Sequence, residues 1–370
     1  MKFLLITHVE HKKKGNTFFA YEPYVREMNL WFKYVDTIKI IAPFTVEKIT
    51  KIDIEYIDNN ILYDKIPSFN LLNFKNSIES FFKIPFIIIK IMKGMIWADH
   101  IHIRCPGNVG LLACFAQILF PSKQKTVKYA GNWNIKDKQP LSYRVQKWIL
   151  SNTFLTRNCK VLVYGKWDNQ TKNIIPFFTA SYSQNEIIKV EPKNFKNAIK
   201  LIYVGSFSKG KQPLKSIQVA KNLYDKGFNI ELNMYGNGIE FKNAIDYIDT
   251  HTMNHYVFLH GNQPKEIVKE AFKESHFLVF ISKSEGWPKV VAEAMFWSCL
   301  PISTRVSCVP YMLDYGKRGA VVSDNVTDIV AVIKTYINNI NLYQEAIINA
   351  RDWSQYYTLE KFEFKIGELL

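Results

Sequence analysis

Short apolar runs alternate along this chain with longer stretches in which apolar residues recur every three or four positions. The first pattern predicts buried strands, the second amphipathic helices. Residues 2–7, 37–42, 100–104, 126–129 and 160–164 read as strands, the second closed by Pro43 and the third by Pro106-Gly107. Between them, residues 23–35 place Val25, Met28, Leu30, Trp31 and Val35 at helical spacing, and 109–119 and 141–150 also read as helices. Such alternation specifies a parallel sheet covered by helices. The most apolar stretch, 81–97, is interrupted by Lys83, Lys90 and Lys93 and broken by Pro85. A spanning helix needs about 20 largely uncharged apolar residues. A buried helix is therefore expected there, with a membrane-surface helix as the second reading. The opening MKFLLITHVEHKKKGN places its lysine cluster after a short apolar run, which reads as a first strand and not as a secretory signal.

Over residues 181–200, around Glu191-Pro192-Lys193, the rhythm lapses into polar residues and marks a linker. A second alternating unit follows. Strands are expected at 199–204, 230–235, 256–259, 277–281 and 300–303, and helices at 213–225, 239–248, 264–273 and 290–296. The expected class is α/β with domains at 1–183 and 199–352, the second doubly wound.

At 370 residues the chain suits about two domains. With 48% apolar and 22% charged residues, a disordered or collagen-like chain is excluded. Its five cysteines form no C-x-x-C, so neither a zinc ribbon nor a disulfide scaffold is indicated, and a reducing cytoplasm is the natural setting. The net charge is +15, and nearly all of it falls in the first 180 residues, which hold 26 Lys and Arg against 13 Asp and Glu. A basic half suits anionic lipid, nucleic acid or a phosphorylated acceptor, or it is a solvated lysine-rich face. No nucleic-acid module signature accompanies the charge, so nucleic acid is not an expected partner.

Ligands of doubly wound sheets bind at the carboxyl ends of strands. Four such ends stand out here. VGSFSKGKQ, residues 204–212, nearly fits a phosphate-binding P-loop, but Gln212 stands where a hydroxyl must hold magnesium. What survives is a glycine turn with Lys211 before a helix, an arrangement suited to an anionic group. MYGNG, with Gly236 and Gly238, and FLHGN, ending at Asn262, are weak signals singly. SKSEGWPKVVAEAMFWSCLPI, residues 282–302, is strong. It sets Glu285 in an open loop and Glu293 eight residues later on an otherwise apolar helix, where a carboxylate calls for a partner.

Taken in order, these four elements resemble the retaining GT-B glycosyltransferases of family 4, the glycosyl transferases group 1. The likeness covers residues 199–322 by motif and the N-terminal half by architecture. It implies two Rossmann-like, doubly wound domains facing across a cleft, with a terminal segment 353–370 whose helix, 359–370, crosses back to the first domain. Glu293 would bind the donor ribose, Glu285 the donor sugar with the Gly286 and Trp287 amides nearby, and Lys211 the diphosphate. Gly15, Gly205, Ser206, Gly236, Gly238, Asn262, Pro288, Lys289 and Val290 complete the implied donor side. Ser206 replaces the family's diphosphate arginine, with Lys209 and Lys289 as substitutes, and Pro288 removes one N–H donor from the loop. On the acceptor side, His102 is retained and Arg104 stands where a second histidine often lies. Asn132 and Trp133 form either an acceptor wall or a plain turn.

The activity so implied is metal-independent, retaining transfer of a sugar from a nucleotide-diphospho-sugar to a hydroxyl of a glycan or lipid-linked acceptor. No D-x-D triplet and no cofactor are expected. The implied setting is bacterial surface polysaccharide or lipopolysaccharide assembly in the cytoplasm, with peripheral contact at the inner, anionic face of the membrane. The rival is a catalytically inactive paralogue acting as a binding or scaffold protein; a nucleoside triphosphatase is disfavoured by Gln212.

Overall fold

The computed structural model describes residues 1–50, 52–57, 60–68, 74–134, 137–188 and 193–370, with the backbone alone over 74–81. Its contacts divide the chain into two compact units, one of Met1–Phe177 with Glu363–Leu370 and one of Phe178–Phe362.

In the first unit the elements run β1 (Lys2–Ile6), β2 (Lys12–Lys14), β3 (Thr17–Tyr21), α1 (Glu22–Phe32), β4 (Thr37–Pro43), β5 (Asp53–Glu55), β6 (Ile61–Ile66), α2 (Phe74–Trp97), β7 (His100–Cys105), α3 (Asn108–Ala116), β8 (Gln124–Tyr129), α4 (Leu141–Ser151), β9 (Cys159–Tyr164) and β10 (Ile174–Phe177). Seven of these strands form a parallel sheet in the order β10-β9-β8-β7-β1-β4-β6. Alternation along each strand sends Leu4, Ile6, Ile101, Ile103, Val127 and Val161 into one core. That core is closed by Ile87, Ile91 and Met95 of α2, Ala113 and Cys114 of α3, and Ile149 and Leu150 of α4. The opposite face carries Phe3, His100 and His102, stacked with one another near Trp31 and Phe32 of α1.

Two features depart from the pattern. β2, β3 and β5 form a separate antiparallel sheet. Gly15, on the implied donor side, turns the β2–β3 hairpin at φ +60°. The apolar stretch at 81–97 is helical, as expected, but buried on one face only. α2 runs on through Pro85 and keeps Phe82, Phe86, Ile89 and Ile96 exposed.

The second unit holds β11 (Ile199–Val204), α5 (Pro213–Asp225), β12 (Ile230–Tyr235), α6 (Phe241–Thr250), β13 (Val257–Gly261), α7 (Lys265–Glu274), β14 (Phe277–Phe280), α8 (Lys289–Phe296), β15 (Leu300–Thr304), α9 (Val309–Met312), β16 (Ala320–Val322), α10 (Val326–Asn338) and α11 (Ile340–Gln355). Its six-stranded parallel sheet has the order β13-β12-β11-β14-β15-β16. The chain winds outward from β11 to β13, then returns to the other side of β11, so the winding reverses between β11 and β14. The last helix, α12 (Leu359–Gly367), begins in this unit and ends in the first, where Lys33 pairs with Glu363 at 2.7 Å.

The division between the units falls at Phe177–Phe178, earlier than the expected end of the first domain at 183. Tyr182 packs on Phe296 and Trp297 with centroids 4.9 and 5.0 Å away, which places it in the second unit. Residues 353–362 also belong to that unit, through Trp353. Of the expected linker, Glu191 and Pro192 lie outside the described residues. Lys193 is not linker-like. Its ammonium donates to the carbonyls of Phe272, Ser275 and Trp297, at the ends of α7 and α8, where helix dipoles favour a cation.

Candidate active site

Where the winding of a doubly wound sheet reverses, two neighbouring strands send their following loops in opposite directions and open a crevice between them. Here those strands are β11 and β14, followed by residues 205–212 and 281–288. Gln212, left-handed at φ 44°, turns the first loop into α5. The loops are tied together by the Lys283 N–H, which donates to the Gly210 carbonyl at 2.9 Å. Across this junction the Lys211 ammonium pairs with the Glu285 carboxylate, 4.9 Å above the Phe280 ring. Lys211 is 27% exposed and Glu285 only 7%. The two residues expected to do chemistry are thus adjacent and neutralise each other.

The Glu285 loop is held on both sides. Thr304 Oγ1 donates to the Ser282 carbonyl at 2.6 Å, and the Gly286 carbonyl accepts from Ser307 Oγ at 2.8 Å. Trp287 is buried and stacks on Trp353, with centroids 6.1 Å apart and planes 24° apart. Its ring is an anchor for the loop. Pro288 caps α8. Lys289 and Val290 form the first turn of that helix, where N–H groups have no intrahelical acceptor. Val291, Ala294 and Met295 bury the inner face of α8, while Glu293 stays half-exposed and accepts a 2.5 Å hydrogen bond from Ser181 Oγ. The expected partner of this carboxylate therefore exists. Sequence reading missed it because Ser181 sits in a polar stretch with no periodic signal.

The glycines beneath these loops act through backbone packing. Gly205 N–H donates to the Tyr235 carbonyl and Phe207 N–H to the Asn237 carbonyl, both at 3.0 Å. A Cβ on Gly236 would fall on the Gly205 carbonyl oxygen, and one on Gly238 would stand 2.5 Å from the Phe207 carbonyl oxygen. Gly236 and Gly238 let the two loops lie backbone to backbone. Ser206, Lys209 and Asn262 are exposed at the loop tips, and the Ser206 carbonyl accepts from Tyr203 Oη at 2.9 Å.

The acceptor-side candidates all lie in the first unit, and the structure corrects two of them. His102 is fully buried between Phe3 and Trp31, with Nδ1 2.8 Å from Thr126 Oγ1. Burial, then the charges of His100, Arg104 and Lys128, hold its pKa well below 6.5. It is a neutral core residue. Trp133 is likewise core, edge-on to Tyr129 and donating to Gln170 Oε1 at 2.9 Å. Asn132 orders its own turn, bonded to the Asn134 N–H and to Asp137. Arg104 lies 3.7 Å from Glu27 Oε1, an oxygen that Lys128 approaches at 3.8 Å, and 5.0 Å over the Tyr24 ring. Among the described residues, no group of three or more His, Cys, Asp or Glu could hold a metal ion. All five cysteines are free and buried.

Comparison with known proteins agrees with this geometry. Residues 184–353 match the family model described as glycosyl transferases group 1. The uncharacterized glycosyltransferase MJ1178 of Methanocaldococcus jannaschii is 27% identical over 162 residues, 43% of this chain and 44% of that protein's length. The chain thus spans less than half of this curated relative. Among solved structures, the lipopolysaccharide outer core galactosyltransferase WaaB superposes with a TM-score of 0.70 at 15% identity, covering 100% of this chain and 99% of that one. Anabaena HepE, solved with UDP and glucose, superposes at 0.67 with 12% identity, over 100% and 98% of the two chains. The chain has the GT-B fold, and its residues 184–353 are similar to the glycosyl transferases group 1 family.

Proposed function

We propose that the protein is a retaining, metal-independent glycosyltransferase of family 4. It moves a sugar from a nucleotide-diphospho-sugar to a hydroxyl of a glycan or lipid-linked acceptor in bacterial surface polysaccharide or lipopolysaccharide assembly. The observation that carries this reading is the set of Lys211, Glu285 and Glu293 at the carboxyl ends of β11 and β14. Glu293 takes the vicinal ribose hydroxyls, beside its bond to Ser181. Lys211 leaves Glu285 for the diphosphate, joined by the first N–H groups of α8. Glu285, released from its cation, accepts from hydroxyls of the donor sugar. As the acceptor oxygen bonds to the anomeric carbon, the bond to the diphosphate breaks. The leaving phosphate takes the acceptor's proton, and Lys211 stabilises the growing charge. The fold likeness to WaaB and to the UDP complex of HepE supports the donor class and the setting. A binding protein without turnover is the second reading, favoured by Ser206 at the place of a cation.

The test is calorimetric titration with UDP-sugars and other nucleotide-sugars, followed by NMR of the product's anomeric configuration. Glu293→Ala should weaken donor binding by about 10- to 150-fold, the loss expected for one charged hydrogen-bond partner worth about 1.5–3 kcal/mol. Unchanged affinity in a folded variant removes the ribose assignment. Donor binding without turnover selects the second reading, and an inverted product overturns retention.

A further inference from the structure

Helix α4 has two unlike sides. Ile149 and Leu150 are fully buried in the core of the first unit. On the outer side Leu141, Arg144, Val145 and Trp148 follow at intervals of three, one and three residues, so they share one stripe. Solvent reaches 72% of Leu141 and 60% of Trp148. The stripe lines a groove of about 650 Å³, which Asp137, Gln139 and Lys147 line as well. That volume falls in the range of about 300–1,000 Å³ usual for small-molecule sites.

The polar groups of the groove have hydrogen-bonding capacity to spare. Gln139 Nε2 donates to the Asn132 and Asn134 carbonyls at 3.0 and 3.1 Å, which fixes the orientation of the amide. Its other end is thereby fixed too, and Oε1 is buried with no donor among the described residues. An acceptor stranded in this way is costly to the fold. Lys147 Nζ donates to the same Asn134 carbonyl at 3.0 Å and lies 5.7 Å from the rings of Tyr129 and Trp133. An ammonium carries three N–H donors, so Lys147 has more to give. It is 6% exposed, and burial lowers its pKa to about 8 against the pull of Asp137. A stranded acceptor and an underused donor thus converge on one carbonyl, in a groove whose wall carries an open indole.

This mixture selects the ligand. An anion would face Gln139 Oε1 and the Asp137 carboxylate as well as the cations. An apolar ligand would leave Oε1 and the ammonium unmet. Hydroxyl groups both donate and accept, and a pyranose ring adds a C–H face that packs on an aromatic ring. We propose that the groove along α4 is a saccharide-binding site, in which a sugar ring stacks on Trp148 while its hydroxyls donate to Gln139 Oε1 and accept from Lys147 Nζ. It is additional to the donor site, because Lys211, Glu285 and Glu293 all belong to the second unit. It stands whether or not the chain transfers sugar.

The test is titration of the full chain with maltotriose, cellotriose and chitotriose, read by tryptophan fluorescence and by saturation-transfer NMR of the sugar. At least one should bind, with its C–H protons saturated. Trp148→Ala, an exposed change, should weaken that binding at least tenfold, with an unchanged circular dichroism spectrum and an unchanged titration with UDP. Trp148→Tyr, which keeps a ring, should restore most of it. Lys147→Met, which keeps the length of the stem, should also weaken it. Failure of all three sugars to bind overturns the proposal, as does binding that Trp148→Ala leaves unchanged. So does inorganic phosphate that competes with the sugars, the mark of an anion site.

Discussion

The pairing of Lys211 with Glu285 has a stability consequence that can be measured with no ligand present. Glu285 is nearly buried and Lys211 about a quarter exposed, so the pair lies between the surface and interior cases. Lys211→Ala leaves the carboxylate desolvated with its cation gone. A hydrogen bond to a charged group is worth about 1.5–3 kcal/mol, and breaking a fully buried pair costs about 3–5 kcal/mol. The partial exposure of Lys211 places the loss near 2 kcal/mol, a fall in Tm of about 4–8 °C for a unit of this size. Glu285→Gln keeps an oxygen that can accept from Lys211 and removes the buried charge, so it should cost about 1 kcal/mol. In the double variant no desolvated charge remains, and the two losses should fall short of additivity by about 1–2 kcal/mol. Urea unfolding of the four ligand-free proteins closes this cycle. Additivity within about 0.5 kcal/mol would refute the inference that these side chains hold each other in place, and with it the idea that a diphosphate must separate them.

Two further outcomes follow from packing and from protonation. Gly236→Ala should destabilise by about 3 kcal/mol or more, because the new Cβ meets the Gly205 carbonyl and the residue sits at φ +130°. Gly210→Ala, with nothing within 4 Å of its Cβ, should stay within about 0.5 kcal/mol, and equal losses in thermal unfolding would sink the packing account. His276 accepts the Lys200 N–H at Nδ1 and faces the Asn194 carbonyl with Nε2, and burial lowers its pKa from 6.5 to about 4. Below pH 6.5 the unfolded chain binds this proton and the folded one does not, so stability should fall by up to about 3 kcal/mol as pH drops toward 4. Urea titrations at pH 7, 6 and 5 should show a shallower fall in His276→Gln. An unchanged slope would remove the assignment.

Much of the second unit is legible in the sequence because each strand is a short β-branched or aromatic run that stops at a glycine or a polar loop, as at Gly205 and Gly236. The Glu285 and Glu293 spacing is legible for a related reason, since a carboxylate on an apolar helix contradicts its surroundings. What the sequence conceals is the orientation of side chains at strand ends. His102 and Arg104 share one strand, two residues apart, yet one is sealed against Trp31 and the other reaches Glu27. Trp133 follows a strand end like a site residue, but its size carries it into the core against Tyr129. The β2–β3 hairpin escapes notice because Lys12, Lys13 and Lys14 carry no apolar alternation; their pairing with residues 17–19 is set by the Gly15 turn. Ser181 and Lys193 escape because each makes its contacts far along the chain, with Glu293 and with the ends of α7 and α8.

The backbone-to-backbone seating of residues 205–207 on 235–238 separates two kinds of sequence constraint within a few ångströms. Beneath, Gly236 and Gly238 admit no side chain at all, so neither can vary without moving the sheet edge. Above, Ser206 and Lys209 project from the loop after β11, and Asn262 from the loop after β13, and they touch little of the scaffold. Substitutions at the tips can therefore accumulate without disturbing the fold, while the floor stays invariant. A chain built this way can drift from one ligand to another by exchanging tip residues singly, each step leaving a folded protein for the next to act upon.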